Sequence, residues 1–239
     1  MFTTKFLKKS FSNRIIGAFL LVLVFLYLLY LGIFRTGYNL ATNEISKVLY
    51  TKTSFCIETL EDEIGRIQKL QNECLNDDLF YYTSGAFSIM TKREQTARLL
   101  ELQERLKILH ESSTYIEEAY VYFTKLNWKI SSMEGVEQIT SITPELIYMQ
   151  EKSRYSVPFY YNNRMYLGVS YPYIMTSETS IPNFILVIRL SDFKIKETLG
   201  FLQEYQDSGV KLVDEKQIYM LSAGSDICFN EEVYTSDDL

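Results

Sequence analysis

Residues Ile15 to Phe34 (IIGAFLLVLVFLYLLYLGIF) are 20 consecutive residues without a charged side chain. As a helix they would span about 30 Å, the hydrocarbon thickness of a bilayer. The next best run, Phe184 to Leu190, is short and carries Arg189. Lys5, Lys8, Lys9 and Arg14 precede the apolar run and Arg35 alone follows it, so the positive-inside rule places residues 1–14 in the cytoplasm, a transmembrane helix at 15–34, and residue 36 onward outside. A cleaved signal peptide is the rival reading, but its apolar region is about 7–15 residues long and ends in a small-x-small site. Here Phe34-Arg35-Thr36-Gly37-Tyr38 follows the run, and an uncleaved anchor in the cell membrane is expected, crossing the bilayer once.

The charge divides along the same line. The first 35 residues hold five basic side chains and no acid, which leaves the remaining 204 with a net charge of −11. Such a surface does not bind nucleic acid through bulk electrostatics. Cys56 and Cys74 are 18 residues apart; on one helix about 27 Å separates them, so they cannot form a disulfide. With Cys228 they read as three incidental small hydrophobes. There is no Asn-x-Ser/Thr sequon.

From Tyr38 to about Asn76 there is no Pro and one Gly, and Ile45, Leu49, Cys56, Leu60, Ile64, Ile67 and Cys74 recur at helical spacing. An extracellular stalk over 35–90, built on this amphipathic helix, follows, and it is a candidate homodimer seam. Glu61, Asp62 and Glu63 read as its solvated face rather than a metal site. A second helix is expected over Lys92 to His110, with Leu99, Leu102, Leu106 and Leu109 on one stripe.

The period then changes to two. Ile116 to Thr124 reads as a strand, Lys125-Leu126-Asn127 as a turn and Trp128 to Met133 as the antiparallel partner. Ser156 to Tyr160, Met165 to Tyr173 after an Asn162-Asn163 turn, and Phe184 to Leu190 complete five strands. Ser191 or Asp192 caps a further helix to about Tyr205, and Gly209 to Val213 with Ile218 to Ser222 forms a hairpin. Helix plus hairpin at 92–133 is thus echoed at 191–222, as in two tandem α/β units. Only 16 residues follow Ala223, so the second unit reads as incomplete, as though the gene product were truncated.

An anchor, a long outer helix and two such units resemble the double Cache (PAS-like) sensor region of bacterial membrane receptors. The phrases Ile116-Glu-Glu-Ala-Tyr-Val-Tyr-Phe-Thr-Lys125 and Lys129-Ile-Ser-Ser132 resemble the start of that region in YesM-like sensor histidine kinases, and Ile188-Arg-Leu-Ser-Asp-Phe-Lys194 resembles its inter-unit junction. The resemblance implies an α+β fold, with a membrane-distal unit at 91–190 and the start of a membrane-proximal unit at 191–239. It also implies an extracellular small-molecule sensor in a two-component or related signal-transduction system. One amino-acid-binding subfamily has an Arg two residues before a Trp; here Leu126 stands two residues before Trp128, which argues against that route.

Enzymatic chemistry is not expected. His110 is the single His, so zinc-hydrolase motifs are excluded, any Ser-His-Asp triad would have to recruit this one residue, and kinase and nucleotide fingerprints are absent. No metal or cofactor is implied. In a PAS-like sheet the concave face holds the ligand, and Tyr offers an apolar wall with a hydroxyl. The candidate ligand-binding residues are Tyr120, Tyr122, Trp128, Arg154, Tyr160, Arg164, Tyr166 and Tyr171, the two arginines being cations that could meet an anionic ligand. Alternation puts Tyr120 and Tyr122 on one face, Val121 and Phe123 on the other. Half-buried strands use the same aromatic types for packing alone.

The expected function is therefore a membrane-anchored extracellular small-molecule sensor without its output domain, with the lipid bilayer and an unidentified ligand as partners. A chemoreceptor or membrane-bound AraC-type regulator is the alternative within the sensory class. A surface coiled-coil interaction protein is the alternative outside it.

Overall fold

The computed structural model describes residues 3–154, 157–172, 181–203, 209–213 and 220–224. Helix α1 runs without interruption over Thr3–Leu75 and contains one segment long and apolar enough to cross a membrane. The chain divides into two units, Met1–Thr53 and Ser54–Leu239. In the first, every side chain from Ile16 to Thr51 is exposed, including those of the apolar segment.

In the second unit α1 contributes a buried stripe of Cys56, Leu60, Ile67, Gln71, Cys74 and Leu75. The stripe expected from Ile45 onward is shorter than its spacing suggested: Ile45 and Leu49 remain 47% and 41% exposed. Helical spacing makes a face available, and only an opposing surface buries it. Both cysteines are buried free thiols; burial pushes that of Cys74 up to about 11, against a lowering by Arg105.

The expected stalk over 35–90 breaks after Leu75. Asp77 accepts a hydrogen bond from the Leu79 amide and caps α2 (Asp78–Ala86), which ends in a short 3-10 turn at Phe87–Ile89. Helix α3 (Lys92–Glu111) opens with a complete capping box, Thr91 and Glu94 each bonding the other's backbone amide. Its buried residues are the predicted Leu99, Leu102, Leu106 and Leu109.

A six-stranded antiparallel sheet follows: β1 (Ile116–Phe123), β2 (Trp128–Ser131), β3 (Gly135–Gln138), β4 (Pro158–Tyr161), β5 (Arg164–Tyr171) and β6 (Phe184–Leu190). The spatial order is β3-β2-β1-β6-β5-β4. Six strands rather than five are present, because β3 is a four-residue edge strand with little apolar content, Gly-Val-Glu-Gln, and its pairing with β2 defines it. Between β3 and β4 the chain forms α4 (Pro144–Lys152), with Thr143 as N-cap and Pro144 at the first helical position. Asn162 and Asn163 both adopt positive φ, at 48° and 58°, as a two-residue hairpin turn requires.

The sheet has two covered faces. Ala119, Val121, Phe123, Ile130, Met165, Leu167, Val169, Phe184, Leu186 and Ile188 pack against α1 and α3. A register shift between Ile116 and Glu118 turns Ile116 to that same side. Gln71, 2% exposed, fastens α1 to the sheet: its amide donates to the Leu167 carbonyl at 3.0 Å and the Leu186 carbonyl at 2.9 Å.

Helix α5 (Asp192–Gly200), capped by Ser191, adds Ile195 and Leu199 to the α1-side core. Strands β7 (Gly209–Val213) and β8 (Met220–Gly224) form a separate two-stranded sheet, whose Leu221 joins the same core. The expected strand starts at Ser156 and Ile218, the ends at Tyr173 and Tyr205, and Cys228 with the acidic tail lie outside the described residues.

Candidate functional site

The face beneath α4 is organised by alternation. Tyr120 and Tyr122 on β1, Ile185 and Val187 on β6, Tyr166 on β5 and Phe159 on β4 form one cluster with Leu146 and Met149 of α4. Register places Tyr120 opposite Val187 and Tyr122 opposite Ile185, and Tyr166 lies between Arg189 and Phe159. The Phe159 and Tyr166 rings stack with centroids 5.8 Å apart, and Tyr120 meets Tyr122 edge-on at 5.4 Å. Tyr148 of α4 reaches over both Phe159 and Tyr161 and donates its hydroxyl to the Tyr160 carbonyl at 2.8 Å.

Polar groups gather at one end. Glu118 is 2% exposed and accepts a hydrogen bond from the Ser131 hydroxyl. Its other oxygen meets Arg189 at 3.1 Å, and Arg189 also reaches Glu117 at 3.4 Å. Glu117 holds Arg164 at 2.8 Å, which keeps that guanidinium more firmly charged. On the β2 side Lys129 pairs with Glu134 at 2.9 Å and lies 5.3 Å from the centre of the Tyr120 ring.

Burial raises the hydroxyl pKa of Tyr120 and Tyr122 well above the ordinary tyrosine value, with Glu145 and Glu118 adding to it. Tyr166 is raised by burial too, against an opposing pull from Arg189. All three are neutral hydroxyls at any physiological pH. Glycine is required at 168: a Cβ there would stand 2.1 Å from Ser153 Oγ and 2.8 Å from the Phe159 ring. The end of α4 is thereby seated directly on the β5 backbone.

The structure sorts the eight residues singled out from sequence into three groups. Tyr120, Tyr122 and Tyr166 share the α4 face, and Arg164 stands at its rim beside Glu117. Trp128, Tyr160 and Tyr171 pack instead against the α1-side core, Trp128 edge-on to Phe87 and Tyr171 stacked on Phe184 at 5.2 Å. Arg154 is half-buried just beyond the C-cap of α4. An aromatic-rich strand therefore supplies both faces, and residue parity decides which.

Sequence reasoning missed Glu118, Arg189, Phe159 as an α4-side residue, Ser153 and Ser170. Glu118 shares the parity of Tyr120 and Tyr122. Arg189 was visible as the single charge within the apolar run 184–190, a polar intrusion that burial then explains.

No protein-family model matches the sequence, and no curated protein matches it. Among solved structures the chain is similar to the sensory domain of the Campylobacter jejuni chemoreceptor Tlp3 (CcmL), at 11% identity and a TM-score of 0.36, covering 70% of this chain and 73% of that one. It is also similar to the ligand-binding domain of Tlp3 in complex with 4-methylisoleucine, at 9% identity and a TM-score of 0.36 over 65% of each chain. The same domain in complex with L-norvaline matches at 11% identity and a TM-score of 0.35, covering 70% of each chain.

Proposed function

We propose that this chain is the membrane-anchored, extracellular small-molecule sensing region of a bacterial signal-transduction receptor, not itself an enzyme. The observation that carries the reading is the double use of β5 and β6. Their one face presents Tyr166, Ile185 and Val187 to α4. Their backbone carbonyls at Leu167 and Leu186 hold Gln71 of α1 on the other. A ligand that changed the packing under α4 would thus act on the strands to which α1 is fastened, and α1 is the helix that contains the apolar span. Ligand-dependent displacement of a packed helix is an ordinary switching device. The output would be of the sensor-kinase, chemoreceptor or DNA-binding type.

The test is thermal unfolding of the full chain in lipid nanodiscs against a broad metabolite library. A ligand of the folded state raises the midpoint by an amount that grows as RT ln(1 + [L]/Kd). No shift with any compound would refute the sensor reading. For the topology, protease added to intact cells should digest the chain beyond residue 36 and spare the tail before residue 15; digestion of the tail instead reverses the orientation.

A further inference from the structure

We propose that the face beneath α4 takes an uncharged, hydroxyl-bearing solute, a monosaccharide or polyol, with Ser153 and Ser170 as its hydrogen-bonding partners. The inference rests on the sensor reading and specifies its ligand.

Charge is the first argument. Arg164 meets Glu117, Arg189 meets Glu118 and Lys129 meets Glu134, at 2.8, 3.1 and 2.9 Å. Lys152 lies 5.5 Å from the centre of the Tyr148 ring. Glu145 sits in the first turn of α4, where the helix N-terminus accommodates a carboxylate. A charged ligand that drew Arg189 away would leave Glu118, whose side chain is 3% exposed, buried without its partner. An uncharged one disturbs none of these pairs.

Buried hydroxyls are the second argument. Ser153 and Ser170 are both 0% exposed, and neither hydroxyl has a hydrogen-bond partner. Buried polar side chains are almost always paired, so an orphan calls for an explanation. Both belong to this one face. Ser170 has the parity of Tyr166 and Gly168 on β5 and stands opposite Ile185, and Ser153 Oγ is aimed at the Gly168 backbone. Each hydroxyl can both donate and accept, which suits a ligand hydroxyl that does the same.

The stacked Phe159 and Tyr166 rings, on the adjoining strand positions, offer the flat apolar surface against which the C–H face of a sugar ring packs. Entry requires α4, nine residues held to the face by Leu146 and Met149, to move off the sheet.

The experiment is thermal unfolding and calorimetric titration of the full chain in nanodiscs. One arm uses neutral hexoses, pentoses and polyols; the other uses amino acids, dicarboxylates and amines. At least one neutral compound is expected to raise the midpoint. Ser153→Ala and Ser170→Ala are each expected to weaken its binding about tenfold, the worth of one well-made hydrogen bond. Neither should lower the midpoint of the ligand-free protein, because each removes a buried hydroxyl that has no partner. Stabilisation by charged compounds alone would overturn the uncharged class and leave the sensor reading standing; stabilisation by nothing would remove both. Unchanged affinity of a neutral ligand in both serine variants would overturn their assignment. So would a lower ligand-free midpoint in both, since it would mean that those hydroxyls are already held by water.

Discussion

The two faces of the six-stranded sheet are built from alternate residues of the same strands, yet they differ in kind. The α1 face is aliphatic and phenylalanine-rich, and one buried amide, Gln71, is satisfied there by two carbonyls. The α4 face carries three tyrosine hydroxyls, a buried carboxylate paired with an arginine, and two serine hydroxyls without partners. The first is what stability requires: dense apolar packing with its polar atoms paired. The second retains polar chemistry that packing alone does not need, and unspent polar groups are where a binding function is to be sought.

Substitutions on the two faces should separate these roles, and the largest effect belongs to the α1 side. Phe184 is fully buried and touches the rings of Phe80, Phe123 and Tyr171. Phe184→Ala should cost about 3–5 kcal/mol, read from the urea midpoint of the full chain in detergent; a loss below about 1 kcal/mol would deny that this face is the stabilising core.

On the other face Arg189→Met strands Glu118. Removing one partner of a fully buried pair costs about 3–5 kcal/mol, but the Arg189 side chain is 25% exposed, so about 2 kcal/mol is expected here. Adding Glu118→Gln should recover part of that loss, and a double-mutant cycle measures the coupling. Strict additivity would mean that the pair contributes nothing.

Gln71→Leu removes two hydrogen bonds from the α1 face and should cost about 1–2 kcal/mol. If the fastening matters for signalling, the variant should still bind ligand at the α4 face while losing any ligand-dependent change in α1, as read by spin labels on that helix.

The smallest effect is in pH. Tyr120, Tyr122 and Tyr166 have folded values raised above the ordinary 10.0. The folded state therefore holds protons that the unfolded state has released, so stability is fully present below about pH 10 and falls as pH rises beyond it. In an ultraviolet titration these three should ionise only as the protein unfolds. Ionisation of every tyrosine before unfolding would show the α4 face to be open to solvent.

Much of the architecture was legible in the chain itself. The apolar N-terminal helix, the four-leucine stripe of α3, the β1–β2 hairpin, β6, a cap at Ser191 or Asp192 and the parity of Tyr120 and Tyr122 all follow from local rules: an uncharged run, a period of 3.6 or 2, a capping side chain. The β3 edge strand was not legible, because a four-residue strand of mixed polarity exists only by virtue of its partner. Helix α4 left a local trace in Thr143-Pro144 and in Leu146 with Met149, but its role came only from the surface it covers.

What the sequence determined by itself is which elements form and which side chains share a face, since these depend on backbone geometry and near neighbours. Tertiary structure alone decided where α1 begins to be buried, that Gln71 is a fastening, that Trp128, Tyr160 and Tyr171 turn away from Tyr120, and that Glu118 finds Arg189. Each of these is a meeting of residues distant in the chain, and no local periodicity encodes the partner.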